Sequence, residues 1–192
     1  PGLQRLLSGL VFPLGLILVV FTGAELFTGN NAVLMPGALA RRYGWGKVAR
    51  NWTLVWMGNF AGALFFTYFM VVLPGVLSSE MWREAACNIA QAKVSLPWST
   101  VFLRGVGANW LGMSANDVPG RMLGLFFPIM CFVVIGYEHC IANMFFIPLG
   151  MLLGAPVSAA ELFAGNLVPA TLGNIVGGGL FVGGLYWYLN RK

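Results

Sequence analysis

Charge is almost absent from two long stretches of this chain. Between Arg5 and Arg41 the only charged residue is Glu25, and between Arg121 and Glu161 it is Glu138, followed by the sole histidine, His139. A bilayer-crossing helix needs about 20 apolar residues. Each stretch is too long for one crossing and too short for a comfortable helical hairpin. Each therefore reads as a discontinuous helix, broken near its middle by polar residues and glycine. Ordinary spans fill the rest, at about 52–77, 97–115 and 166–189. The pattern predicts an all-α polytopic membrane protein; the roughly ten-residue alternating segments of an outer-membrane barrel are absent.

An internal repeat supports this reading. Gly23-Ala24-Glu25-Leu26-Phe27-Thr28-Gly29-Asn30 and Gly136-Tyr137-Glu138-His139-Cys140-Ile141-Ala142-Asn143 share Gly-x-Glu-x4-Asn, 113 positions apart. Downstream, Asn51…Gly58-Asn59-x-x-Gly62 and Asn166…Gly173-Asn174-x-x-Gly177 share a second pattern, 115 positions apart. Corresponding elements lie three spans apart, an odd number, so they run in opposite directions. Inverted repeats with paired broken helices place a transport site where the breaks meet. The halves are expected at about 1–78 and 96–192 of one channel domain. The repeat mate of the 97–115 span falls before Pro1, so five of six expected spans are in view, the first transmembrane helix being missing from this chain.

Composition agrees. Of 192 residues, 58% are hydrophobic and 9% charged, against about a quarter charged in soluble domains. Mean hydropathy is +0.79. The net charge of +5 is not arranged as a basic stripe beside aromatics, so nucleic acid is not the expected partner. Arg41, Arg42, Lys47 and Arg50 cluster in one loop, which places it on the cytosolic or stromal side, with Arg121, Arg191 and Lys192. The 78–96 loop, with Glu80, Arg83, Glu84 and Lys93, faces the opposite side. Cys87, Cys131 and Cys140 form no disulfide framework or metal motif, and no Walker loop or dinucleotide fingerprint is present. No enzyme, metal or cofactor is expected.

Few residues can carry chemistry. His139 sits mid-membrane beside a break, where an ionisable group is a functional candidate, although a satisfied core histidine is the bland reading. Glu25 and Glu138 could carry protons, but their duplication favours a structural role, since nothing in lipid can stay unsatisfied. Asn30 and Asn143 fit the same purpose. Thr28 and Gly29 lie at the first break, where helix N-termini present N–H groups to anions. Phe12, Leu16, Leu26 and Phe132 read from periodicity as packing, with pore constrictions the alternative. Lys93 alone reads as a solvated loop charge that could draw anions inward. Asn51, Asn166, Gly58 and Gly173 fit close packing and hydrogen bonds across helices.

The runs Gly136–Phe145, Gly23–Thr28 and Asn166…Pro169…Gly173-Asn174-Ile175-Val176-Gly177-Gly178 resemble the formate/nitrite transporter family, over nearly the whole chain. The resemblance implies an aquaporin-like homopentamer with one pore per protomer for small monovalent anions such as formate, nitrite or bicarbonate. It implies that His139 is the central pore histidine, Thr28 lies on the loop of the first broken helix, and Leu26 sits at a constriction. It pairs Phe12 and Leu16 with Phe132 as apolar constrictions, makes Lys93 a vestibule lysine, and puts Asn109 on the pore side. Gly29-Asn30-Asn31, Cys140 and the short 154–165 connection depart from the pattern of many bacterial members. The style of sequence resembles a green-algal chloroplast-envelope branch, which implies bicarbonate first and nitrite next.

Rival readings use the same residues. A proton-coupled symporter of these anions would need two conformations. An aquaporin-like neutral-solute channel would need paired Asn-Pro-Ala signatures, and an ammonium channel paired histidines; neither is present. A membrane scaffold with a collapsed pore would pass no anions.

Overall fold

A computed structural model describes residues 2–110 and 118–191, and the side chains of all of these except 118–123. The described residues form nine helices. They are α1 (Gly2–Val11), α2 (Pro13–Thr22), α3 (Phe27–Leu39), α4 (Trp45–Val72), α5 (Glu80–Val94), α6 (Trp98–Trp110), α7 (Val118–Ile135), α8 (Cys140–Leu152) and α9 (Glu161–Asn190). Gly2–Thr22, α4 and α9 are each long and apolar enough to cross a bilayer. Gly124–Ile135 with α8 makes a fourth candidate, bent by 49°.

Both expected breaks are present, and both begin the same way. Gly23 (φ 68°) and Gly136 (φ 79°) end α2 and α7 in the left-handed region, where only glycine turns the chain without strain. Leu26 and His139 then lie extended, and α3 and α8 start immediately after them. Proline at N1 starts α2, since its missing N–H is one the first turn leaves unpaired anyway.

Several expected boundaries need correction. The span placed at 52–77 runs from Trp45 to Val72, stopping before Pro74 and the left-handed Gly75 (φ 71°). The span placed at 166–189 begins at Glu161, because Ser158 caps it: the carboxylate of Glu161 accepts from the Ser158 amide at 2.8 Å. The span at 97–115 is described over Trp98–Trp110; its last residues, like Lys192 and the side chain of Arg121, lie outside the described residues. The 78–96 loop is largely the helix α5, whose charges had masked small residues that pack inward, Ala86 and Ala90.

The molecule is apolar outside and carries several fully buried amides inside. Leu14, Leu54, Met57, Leu103, Leu180 and Leu189 are exposed, while Asn31, Asn143, Asn166 and Asn174 are fully buried. In lipid, burying apolar surface drives little helix association, so close packing and hydrogen bonds must hold the bundle. Close packing is concentrated where α6 lies along α9. A Cβ at Gly173 would fall 2.2 Å from Phe102 O, and one at Gly177 2.2 Å from Val106 O, so the two backbones touch. By contrast, their repeat mates Gly58 and Gly62 have nothing within 4 Å. Where repeat mates meet, they mark the pseudo-two-fold axis: Trp56 Nε1 donates to Thr171 Oγ1 at 3.1 Å, from positions 115 apart. Phe27 and Cys140, also mates, share one core cluster.

Candidate functional site

The two breaks are repaired by the same residues used in the same way. At the first, Asn59 accepts from the Phe27 N–H (3.0 Å) and donates to Glu25 O (3.0 Å). Asn30 donates to the Glu25 carboxylate (2.5 Å) and to Asn51 Oδ1 (2.9 Å). At the second, Asn174 accepts from the Cys140 N–H (2.8 Å) and donates to Glu138 O (3.0 Å). Asn143 donates to the Glu138 carboxylate (2.6 Å) and to Asn166 Oδ1 (2.6 Å). Each set satisfies backbone groups that unwinding frees and that lipid cannot hydrate.

Beyond the shared set, the second break has more attachments. Lys93 pairs with the Glu138 carboxylate at 3.1 and 3.2 Å. Lys93 is thus on the last turn of α5 and held inward, rather than a solvated loop charge. Asn174 also donates to Gly105 O (2.8 Å), and Arg104 straps the break twice: its carbonyl accepts from Glu138 N–H and its Nη1 donates to Gly136 O, both at 3.3 Å. Arg104 escaped sequence reasoning, although it is the one charged residue in the expected 97–115 span. That isolation was the available signal.

His139 faces the first break across the axis. Its Nδ1 accepts from the Ala142 N–H at 3.2 Å, so the imidazole caps its own helix, α8. The neutral ring therefore carries its proton on Nε2, which lies 3.0 Å from Thr28 Oγ1 and donates to it. The Thr28 hydroxyl proton is left for another acceptor. Phe132 stacks on the ring, with centroids 6.0 Å apart and planes at 17°. Asn109 commits both amide hydrogens to backbone, on Thr28 O (3.0 Å) and Asn174 O (2.7 Å).

These groups border a cavity of about 600 Å³ lined by Leu16, Leu26, Thr28, Asn109, Phe132 and His139, among others. Phe12 stands behind it, edge-on to Phe132 at 5.6 Å, in a cluster with Leu16, Ala108 and Ile129. Lys93, Glu25, Glu138 and Asn143 do not line it; Asn30 does. Six of the eight residues expected at the pore or its constrictions thus share one cavity; Phe12 and Lys93 lie outside its lining, Phe12 against Phe132 and Lys93 paired with Glu138.

The sequence model of the formate/nitrite transporter family matches residues 1–188. The chain belongs to the formate/nitrite transporter family. This family member is 43% identical to a probable formate transporter of Methanothermobacter thermautotrophicus, over 100% of this chain and 77% of that protein. It is 34% identical to the formate channel FocA of Escherichia coli K12, over 98% of this chain and 75% of FocA. Its fold is similar to that of a pentameric formate channel solved with formate bound, with a TM-score of 0.85, 35% identity and coverage of 100% of this chain and 85% of the other. It is an integral membrane transporter or channel, not an enzyme.

Proposed function

We propose that this chain forms one pore of a homopentameric channel for small monovalent anions, with formate the first substrate to test and nitrite and bicarbonate next. The names of its relatives support formate, and the pentamer follows the solved channel it resembles. The observation that carries the reading is the contact between Thr28 and His139, where both broken helices meet at the cavity wall.

An anion entering the cavity sheds water at a cost of several kcal/mol, which hydrogen-bond donors must offset. Nε2–H of His139 and the hydroxyl of Thr28 form two donors in series, so the hydroxyl can turn to an anion while Nε2–H supports its oxygen. The N-termini of α3 and α8 add positive dipole at the same level. The charge of Lys93 is offset by Glu138, so the lysine acts by holding Glu138, and through it His139, in place. Asn109 positions the Thr28 segment. Leu16, Leu26 and Phe132, the last backed by Phe12, form apolar constrictions that exclude hydrated cations. Glu25, Glu138, Asn30 and Asn143 keep the unwound backbone paired.

Flux of formate, nitrite and bicarbonate into liposomes at about pH 5.5 and about pH 8, with and without His139→Phe, tests this on either side of the ordinary histidine range. Formate flux that is lost in the variant at both pH values is the expected result. Unchanged flux and pH dependence in His139→Phe overturn the histidine's role, and no anion flux at all overturns the channel.

A further inference from the structure

A helix broken inside a membrane presents two ends of opposite sign. The N-terminus of α8 turns N–H groups and positive dipole toward the second break, and the C-terminus of α7 turns carbonyls and negative dipole toward the same place. An anion beside His139 is attracted by the first end and repelled by the second. The break favours an anion only where its carbonyl end is offset.

Arg104 meets that end. It lies at the middle of α6, between Trp98 and Trp110, and is half-buried. Its Nη1 donates to Gly136 O, the carbonyl of the glycine that closes α7, at 3.3 Å. A Cβ built on Gly136 would meet only that Nη1, at 3.9 Å, so the guanidinium lies against the open side of the turn. The other cation at this break is neutralised, because Lys93 pairs with Glu138. That is the one salt bridge among the described residues, so there the charge of Arg104 faces no carboxylate. A lone guanidinium inside a span is costly to keep. A neutral amide would make the same bond to Gly136 O, so the hydrogen bond alone does not account for an arginine.

The charge stands close to the cavity. Ala108 and Asn109 line it, and Ala108 follows Arg104 by about one turn of α6, ~6 Å along the axis. In a water-poor interior a charge acts over that range with little screening. We infer that Arg104 is a positioning residue for the permeating anion: its guanidinium offsets the carbonyl end of α7, so that the N-terminus of α8 sets the field at His139. It acts through the Gly136 turn and does not touch the anion. The inference rests on the anion-channel reading above.

Saturation of formate flux into liposomes separates this role from a structural one. A folding defect lowers the maximal flux and leaves the half-saturating concentration in place, whereas loss of a charge that stabilises the anion raises that concentration. Arg104→Gln keeps a donor and removes the charge; it should raise the half-saturating formate concentration about 10-fold, the size of one charge interaction at this range. Arg104→Lys keeps the charge, disturbs the fold less, and should stay within about 2-fold of the parent. A Gln variant with the parent's half-saturating concentration overturns the inference, whatever its maximal flux. So does a Lys variant raised about 10-fold, since geometry and not charge is then the cause. A Gln variant that fails to assemble where the Lys variant assembles also overturns it, by making the charge part of the scaffold. A parent that passes no formate overturns the channel reading itself, and this inference with it.

Discussion

The two breaks differ most at the positions the repeat does not copy. Glu25 and Glu138, Asn30 and Asn143, Asn51 and Asn166, and Asn59 and Asn174 make matching bonds in both halves. The mates of His139, Thr28 and Asn31 are Leu26, Ile141 and Met144. Residues that merely keep an unwound backbone paired are needed twice. A donor needed once, on the axis where both halves meet, appears once. Under the proposed function this symmetry divides the polar residues at the breaks without reference to any substrate: the duplicated ones keep the backbone paired, and the unduplicated His139 and Thr28 face the cavity.

The largest test of this division removes a shared repair residue. Asn174→Leu strips bonds from Cys140 N–H, Glu138 O and Gly105 O, each costing ~1–3 kcal/mol when left buried and unpaired. The sum rivals the whole stability of an ordinary domain. Loss of a stable oligomer on size exclusion is expected, with Asn59→Leu, which strips only two such bonds, less severe.

Charge separates the breaks next. Glu138 is 3% exposed and paired with Lys93, whereas Glu25 is exposed. Glu138→Gln leaves the lysine without its counter-charge and should destabilise by about 3 kcal/mol, while Glu25→Gln should cost under about 1 kcal/mol. Thermal melting of the two single variants in detergent measures the gap. Equal losses would erase the asymmetry.

The unshared residues should leave assembly intact and alter transport. His139→Phe keeps the stacking on Phe132 but removes a donor worth about 1.5 kcal/mol or more to an anion, so formate flux should fall at least ~10-fold in an oligomer of normal size. Thr28→Val, which removes the second donor in the series, should lower flux ~5-fold, in line with about 1 kcal/mol for one neutral hydrogen bond. A Thr28→Val protein that loses its oligomer instead would move Thr28 from site to scaffold.

Much of this was legible before any coordinates. The broken helices follow from charge-free stretches of awkward length, and the repeat from residues that can be aligned by eye. Six of eight pore candidates share one cavity. What stayed hidden depends on contacts between distant elements. Lys93 looks solvated because its partner lies 45 positions away, and α5 looks like a loop because its charged face outweighs the small residues, Ala86 and Ala90, that pack inward. Arg104 carries no pattern of its own, since its partner is a backbone carbonyl in a break, and nothing in a sequence marks which carbonyls are free. The span limits shifted because the ends are set by local stops and caps, Pro74 and the left-handed Gly75 after α4 and the Ser158–Glu161 cap before α9, which a count of apolar residues does not weigh.

The placement of the repair asparagines also sets an order of events in synthesis. Asn51 and Asn59 are on α4, downstream of the first break, and Asn166 and Asn174 are on α9, downstream of the second. Each gap in a helix leaves the ribosome before the side chains that close it. The short extended segment holding His139 therefore lacks its partners on α9 until the last helix has been made. A nascent chain stalled before α9 can hold α7 and α8, yet lacks the two asparagines that pair the break between them.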